Sequence, residues 1–502
     1  MLVVSNNLLP LPLISNYQNN DLTVENMTLV ILTILILAYV LIATENVTKV
    51  NRAAVAIFAG TVGWVLYVCF GMDFVTSEHL ADYSRFLHLG DADSTSTTVK
   101  YYISRNIFLP WVGRAAEIVL FLLATMTIVE ILNNNGCFDF VRQLLRTRSS
   151  KKMLWTLAIV TFLISINLDN LTTTVMMLTM MHAIIPSRRQ RMIYGSAILL
   201  AANCGGALTV IGNPEGLVLW NSGAVTATVF SFSLLLPCLA AWLIPTAMMM
   251  RMLPERVETE WIVMPFRGDD TRLNAWQRQL MLFVGIGGLW FIPTFHSITK
   301  LSPFLGALCV LSILWIVNEI FNRKLMNMDA MVERRTPRVL QYGVIQMILF
   351  VMGMIMAVGV VKESGAFDDL MNLLDGGEER PNVWLHGVAA GVLSTVLDNF
   401  ATAMNFFSLH DVVGLGDPSM VLDPNYSTNG LYWQVVAYCV MAGGNVLGIG
   451  TISGLALMKM EHMHMGWFFR NIGWKALVGG VAGLAILWLS HTLMGGTMYL
   501  MI

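Results

Sequence analysis

Runs of about 20 apolar residues, enough to cross a bilayer as a helix, recur at 28–45, 52–71, 114–133, 227–250, 276–295, 302–321, 340–361 and 475–495. Four other apolar stretches have a different pattern. Segments 153–185 and 384–410 are long but interrupted midway by a polar cluster, and 192–220 and 432–460 are interrupted by glycines. The pattern predicts eight plain spanning helices, two hairpins and two broken spans.

Loop charge orients these segments, because Lys and Arg collect on the cytoplasmic side. Arg142, Arg146, Arg148, Lys151 and Lys152 precede 153–185, and Arg188, Arg189 and Arg191 follow it. Both ends of that stretch are therefore expected in the cytoplasm, which makes it a re-entrant hairpin. Around 384–410 the flanks are acidic: Glu363, Asp368, Asp369, Asp375, Glu378 and Glu379 before, Asp411, Asp417 and Asp423 after. That hairpin is expected to enter from outside. The basic loops 251–275 and 322–339 also belong in the cytoplasm, as does 462–474 with Arg470. With each broken span counted as one crossing, the chain crosses ten times and both termini lie outside.

The two halves of the chain match. Gly136-Cys-Phe138-Asp139 recurs as Gly365-Ala-Phe367-Asp368, and Ser165-x-x-Leu168-Asp169-Asn170-x-x-Thr173 recurs as Ser394-x-x-Leu397-Asp398-Asn399-x-x-Thr402, both displaced by 229 positions. Gly205-Gly206 with Ile211-Gly212 and Gly216 recurs as Gly443-Gly444 with Ile449-Gly450 and Gly454, displaced by 238. Each half then holds three spans, a re-entrant hairpin, a broken span and one further span. Five crossings per half is an odd number, so the second half starts on the opposite side. The fold expected is an all-α polytopic membrane protein of two inverted-topology repeats, an architecture of secondary transporters. The divisions are an N-terminal extracytoplasmic segment 1–27, repeat one at 28–250, a cytoplasmic linker 251–275, repeat two at 276–495 and a tail 496–502. Residues 1–27 have no basic start, so no standard signal peptide is read there.

Composition narrows the class. Of 502 residues, 56% are hydrophobic and only 12% charged, about half the charge of a soluble domain, so lipid must be the main solvent. A net charge of -2 gives no footprint for nucleic acid. The six cysteines are scattered with no CxxC pair, which predicts neither a disulfide frame nor a zinc site. The 34 methionines read as adaptable packing.

Candidate chemistry lies at the interruptions. Asp169 and Asp398 fall at membrane depth, where a carboxylate is costly and marks a functional site. With Asn170, Thr172, Thr173, Asn399 and Thr402 they offer hard oxygen ligands, suited to Na⁺ or H⁺ rather than soft metals. A plainer role, as N-caps of the second hairpin helices, is compatible with this. The glycine breaks are expected to line the same sites: Asn203, Gly205, Gly206, Thr209, Asn213 and Glu215 in the first, Gly443, Gly444, Asn445, Thr451 and Ser453 in the second. Freed carbonyls and half-helix ends there can hold a cation. Glu215 has no acidic counterpart in repeat two, and either joins site one or lies near the outer end of its span. Glu117 is a lesser candidate. Glu45, near Lys49, reads as an interfacial anchor, Lys459 and Glu461 as snorkelling helix-end groups, Trp111 as part of an aromatic belt, and His182 and His410 as interfacial.

The paired Leu-Asp-Asn-x-x-Thr hairpins, each followed by a Gly-Gly break, resemble the NhaD-type Na⁺/H⁺ antiporters of the ion transporter superfamily. The run Leu168-Asp169-Asn170-Leu171-Thr172-Thr173-Thr174 is the most specific match. Glu45, Ala116-Glu117-Ile118 and Thr127-Ile-Val-Glu130 are also similar. The resemblance implies efflux of Na⁺, and often Li⁺, against H⁺ entry across a bacterial inner membrane, no cofactor, and a homodimer formed through the plain spans. One stretch departs from the pattern. Where the family has Ile-Gly-Asp followed by threonines, this chain reads Ile211-Gly212-Asn213-Pro214-Glu215-Gly216, and Asn-Pro there is similar to anion-carrying members of the superfamily.

The mechanism expected is direct competition, in which Asp169 and Asp398 bind either protons or Na⁺. The main alternative is a Na⁺-coupled symporter of a small anion such as a carboxylate. It would need basic residues at the hairpin tips, and none occurs within 160–180 or 390–409. An intramembrane enzyme is disfavoured, since Glu461-His462-x-His464 has the wrong spacing for a metalloprotease.

Overall fold

The computed structural model describes residues 14–91, 93–145, 147–257, 273–322, 344–367, 382–413 and 424–493. The acidic run 368–379, Asp417, Asp423, most of the two basic loops and the 496–502 tail lie outside these residues.

The regular structure of the described residues is helical, with two isolated bridges. Helix α1 (Ile14–Ala43) is followed by α2 (Arg52–Cys69), the short α3 (Gly71–Glu78) and α4 (Leu80–Gly90), and the long α5 (Ser96–Asn134). Then come α6 (Ser150–Ser165), α7 (Asn170–His182), α8 (Arg188–Ala207), α9 (Pro214–Asn221) and α10 (Ala227–Met249). The second half holds α11 (Ala275–Thr299), α12 (Pro303–Asn322), α13 (Val344–Glu363), α14 (Val383–Ser394), α15 (Asn399–Ser408), α16 (Leu431–Leu447), α17 (Ile452–Met460) and α18 (Met465–Leu493). Among the described residues nine helices are long and apolar enough to cross a membrane.

Several boundaries differ from the sequence reading. The first helix begins at Ile14 rather than 28, and its membrane-length apolar part starts at Val24. The span expected at 114–133 is continuous from Ser96, passing through a π-helical turn at Ile103–Phe108. Polar Ser96-Thr-Thr98 hid its start, which Thr95 caps by accepting from Thr98 N. The last span likewise begins at Met465, through a π turn at Phe469–Gly473, so 462–474 is mostly helix. Helices α3 and α4 were not foreseen.

The helices pack through close backbone approaches, as small residues allow in lipid. Along the α2–α13 seam a Cβ at Gly353 would stand 2.6 Å from Ile57 N, and Trp64 Nε1 donates to Met356 O at 3.0 Å. Packing partners come in exchanged pairs. α2 lies on α13 and α12 on α5; α6 on α8 and α14 on α16; α7 on α17 and α15 on α9. Where helices leave the bundle, apolar side chains face outward, as at Phe283, Trp290 and Ile298.

Loop contacts sort into two groups that share no residue. In one, Ser149 bridges Arg256, Ser150 N donates to Glu255 O, Tyr194 Oη to Ser150 O, and Asn135 to Asn318. In the other, Asn429 N donates to Ala224 O, Trp111 Nε1 and His79 meet the Glu363 carboxylate, and Lys362 pairs with Asp411. The first group joins segments assigned to the cytoplasm by charge, the second those assigned outside.

Candidate functional site

Two helix pairs are interrupted by short turns: 166–169 between α6 and α7, and 395–398 between α14 and α15. Each second helix starts on its aspartate. Asp169 Oδ2 accepts from Thr172 N at 2.9 Å and Thr172 Oγ1 at 3.0 Å, while Asp398 Oδ1 accepts from Phe400 N at 3.0 Å. Both therefore cap, and each is only 5% exposed. A cap uses one carboxylate oxygen. Asp169 Oδ1 is left buried with no partner, and so are Thr173 Oγ1 and Thr402 Oγ1.

The broken spans close over these turns. Asn213 Oδ1 accepts from Gly216 N and Thr451 Oγ1 from Gly454 N, both at 3.0 Å, so an Asn and a Thr do the same capping job in the two halves. Pro214 follows at the first helical position, where its fixed φ suits a helix start. The turn serines anchor alike: Ser165 Oγ donates to Ala202 O at 2.7 Å and Ser394 Oγ to Val440 O at 2.9 Å. Thr209 Oγ1 donates to Ile166 O at 2.6 Å, and Asn399 N to Gly450 O at 2.8 Å.

The glycines serve chiefly to admit these contacts. Gly205 packs on the Phe162 carbonyl and Gly443 on that of Gly391; Gly206 lies against Asn170 and Gly444 against Asn399. A Cβ at Gly212 would lie 2.6 Å from Gly206 O. Gly205 and Gly443 thus touch α6 and α14.

A polar bridge joins the halves. Asn203 Nδ2 donates to Asn445 Oδ1 at 2.7 Å and lies 3.4 Å from Thr451 Oγ1; Asn170 Nδ2 lies 3.4 Å from Asn203 Oδ1. Beside it is a cavity of about 20 Å³, bounded by Asn170, Glu215, Asp398, Asn399, Thr451 and the ring of Phe350, among others. That is room for about one water-sized body. Glu215 is thus a member of the site rather than an outer-end group. It is 7% exposed, and its Oε2 is buried without a partner, as is Ser453 Oγ. Among the described residues no three His, Cys, Asp or Glu side chains converge as a metal cluster; of the three acids, Glu215 and Asp398 line the cavity.

The sequence reading missed one member. Arg52 Nε meets Glu45 Oε2 at 2.6 Å, and its Nη1 meets Asp398 Oδ2 at 2.8 Å. Glu45 also meets Lys459 at 3.6 Å. Glu45 is therefore paired across the bundle rather than anchored beside Lys49. Glu461 is likewise no snorkelling end group. It is 1% exposed and paired with Arg191 at 3.0 Å, with His182 at 3.5 Å. Trp111 is internal, donating to Glu363 at 2.7 Å rather than standing in a belt. Glu117 accepts from Asn221 Nδ2 at 2.6 Å, and His410 packs at a tilt against Tyr426, near His386. The six cysteines are free.

An all-helical, multi-pass membrane protein with partnerless carboxylate oxygens at its helix interruptions has the build of a transporter. The chain belongs to the citrate transporter family CitMHS, whose profile matches residues 39–413. Several of its relatives are sodium/proton antiporters by name. It is 31% identical to "Sodium/proton antiporter 1" of Arabidopsis thaliana over 386 residues, 76% of this chain and 63% of that protein. It is 29% identical to "Sodium/proton antiporter 2" of the same plant, over 74% of this chain and 84% of the relative. Against "Na(+)/H(+) antiporter NhaD" of Alkalimonas amylolytica it is 24% identical over 500 residues, 94% of this chain and 93% of the relative. The likeness to NhaD-type antiporters seen in the hairpin motifs is thus found across the chain.

Proposed function

We propose that this chain exchanges cytoplasmic Na⁺, and Li⁺ in its place, for external H⁺, with Asp169, Asp398 and Glu215 as the groups that alternate between cation and proton. The observation that carries this is the cavity beside Asn203–Asn445. It has room for one small ion, three buried acids stand at or near it, and two of them keep a carboxylate oxygen with no protein partner. A dehydrated Na⁺ takes such oxygens; so does a proton; one site cannot hold both. Asn170, Asn399, Thr173, Thr402, Thr451 and Ser453 supply neutral oxygens around them.

The proposal includes the architecture. Two inverted repeats with hairpins re-entering from opposite faces are supported by the exchanged packing pairs, the matching caps and the two separate groups of loop contacts. Tyr194 ties the start of α6 to α8, and His182 at the end of α7 and Arg191 of α8 both meet Glu461, as expected if both ends of the first hairpin return to one side. The nine long helices plus the α8–α9 pair give ten crossings. A bacterial inner membrane fits the near full-length match to a bacterial relative, and a homodimer would use α11, the least buried span at 22%.

The family's name raises the alternative of citrate carriage with Na⁺. A carboxylate substrate needs uncommitted positive charge. Arg52, the cation that reaches this cavity's acid, is already held by two carboxylates, and Glu215 adds negative charge. Everted vesicles separate the readings. Antiport predicts that Na⁺ and Li⁺ dissipate a preformed ΔpH, while K⁺ and citrate do not. Citrate uptake that requires Na⁺, with no cation-driven ΔpH change, would overturn the proposal.

A further inference from the structure

The two aspartates begin equivalent helices but are not equivalent in charge. Asp169 has no cation within pairing distance among the described residues, and one of its oxygens is free. Asp398 has Arg52 on it, 2.8 Å away, with the ion pair almost dry: the two side chains are 11% and 4% exposed. Arg52 opens α2, just after the capping Asn51. Its Nε stays on Glu45 at 2.6 Å while Nη1 reaches the site, and its guanidinium stands 5.7 Å from the Phe350 ring that lines the same cavity. The guanidinium is a fork, so one arm can leave Asp398 while the other keeps Glu45.

We propose that Arg52 is a tethered counter-cation: it neutralises Asp398 while the cavity is empty and withdraws towards Glu45 when the transported cation arrives. This rests on the exchange function proposed above. Two positive charges cannot share one desolvated carboxylate without strong repulsion, so an incoming Na⁺ must displace Nη1. Glu45 already holds Nε and is placed to keep the guanidinium, and Lys459 at 3.6 Å shares that carboxylate through its other oxygen. Arg52 acts through Asp398 and is a positioning residue. It sets how tightly the site takes the ion and keeps a naked carboxylate from standing in the membrane between cargoes.

A strap that merely ties α2 to α15 would give the same contacts, but it would not move ion affinity in opposite directions. Binding of radioactive sodium to the purified full-length chain, at alkaline pH where protons compete least, separates the two. Arg52→Gln removes the competitor and is expected to tighten sodium binding several-fold. Glu45→Gln leaves Arg52 wholly on Asp398 and is expected to weaken it several-fold. Arg52→Lys keeps the charge but not the fork, so it can hold Glu45 or Asp398 but not both, and is expected to fall between Arg52→Gln and wild type. If Arg52→Gln does not fold, Glu45→Gln decides alone. Unchanged binding in both variants, or a shift of the same sign in both, overturns the proposal while leaving the exchange function standing. A wild-type protein that binds no sodium overturns both.

Discussion

At the scale of single residues, what was legible in the sequence was chemistry carried by local pattern. Asp169 and Asp398 stood out because an acid in an apolar run is expensive, and they are buried at the helix interruptions. Glu215 could be noticed but not placed, since the same three residues, Asn213-Pro214-Glu215, are compatible with a helix start at any depth. Arg52 was invisible. It sits at the end of an ordinary span, and its partner Asp398 is 346 positions away. Glu461 and Glu45 were misread for the same reason: a charge at a helix end looks solvated until a cation from another helix is brought to it. Glu215 gives the sharpest test at this scale. Glu215→Gln keeps the side-chain volume and removes the charge, and should raise the apparent KM for Na⁺ roughly tenfold, about 1.4 kcal/mol, with protein yield unchanged. A KM equal to wild type would remove Glu215 from the ion site.

At the scale of elements, the two fixed displacements in the sequence told where helices break and which breaks correspond. They could not tell what the glycines were for. Position marked them as lining the site, and close packing adds a second role: Gly205 and Gly443 admit backbone from α6 and α14, while Gly206 and Gly444 lie against Asn170 and Asn399. Helix lengths were underestimated where polar turns such as Ser96-Thr-Thr98 begin a span, because hydropathy reports lipid exposure and not hydrogen bonding. Gly212→Ala places a methyl group 2.6 Å from the Gly206 carbonyl and should cost about 1–3 kcal/mol, read as a lower melting temperature in detergent. Gly113→Ala, where nothing lies within 4 Å, should leave that temperature unchanged or slightly raise it. Equal effects of the two would mean that the hairpin does not seat on the break.

At the scale of the whole molecule, loop charge gave an orientation, while the two groups of loop contacts show only which loops lie together and not which side they face. Impermeant maleimide tests the orientation directly, in a background with exposed Cys69 and Cys309 replaced. Leu89→Cys should label in intact cells and Arg189→Cys only after permeabilisation; the reverse pattern would invert the proposed topology. The outer loops also carry a pH-dependent tie. Glu363, 2.9 Å from His79, raises the histidine's pKa above 6.5, its ordinary value. A raised folded-state pKa stabilises fully below the unfolded value, and the contribution is lost as pH rises through the folded one. The wild-type melting temperature should therefore fall from neutral towards alkaline pH, and His79→Gln should flatten that fall. Parallel curves would show that the pair contributes nothing.

The central claim is that Asp169 and Asp398 hold either sodium or protons, and purified protein in sealed liposomes tests it most directly. An inward or outward sodium gradient should drive proton movement through the wild-type chain, and Asp169→Asn and Asp398→Asn should each abolish it while both proteins remain folded. Sodium-driven proton movement at the wild-type rate in either variant would contradict the account.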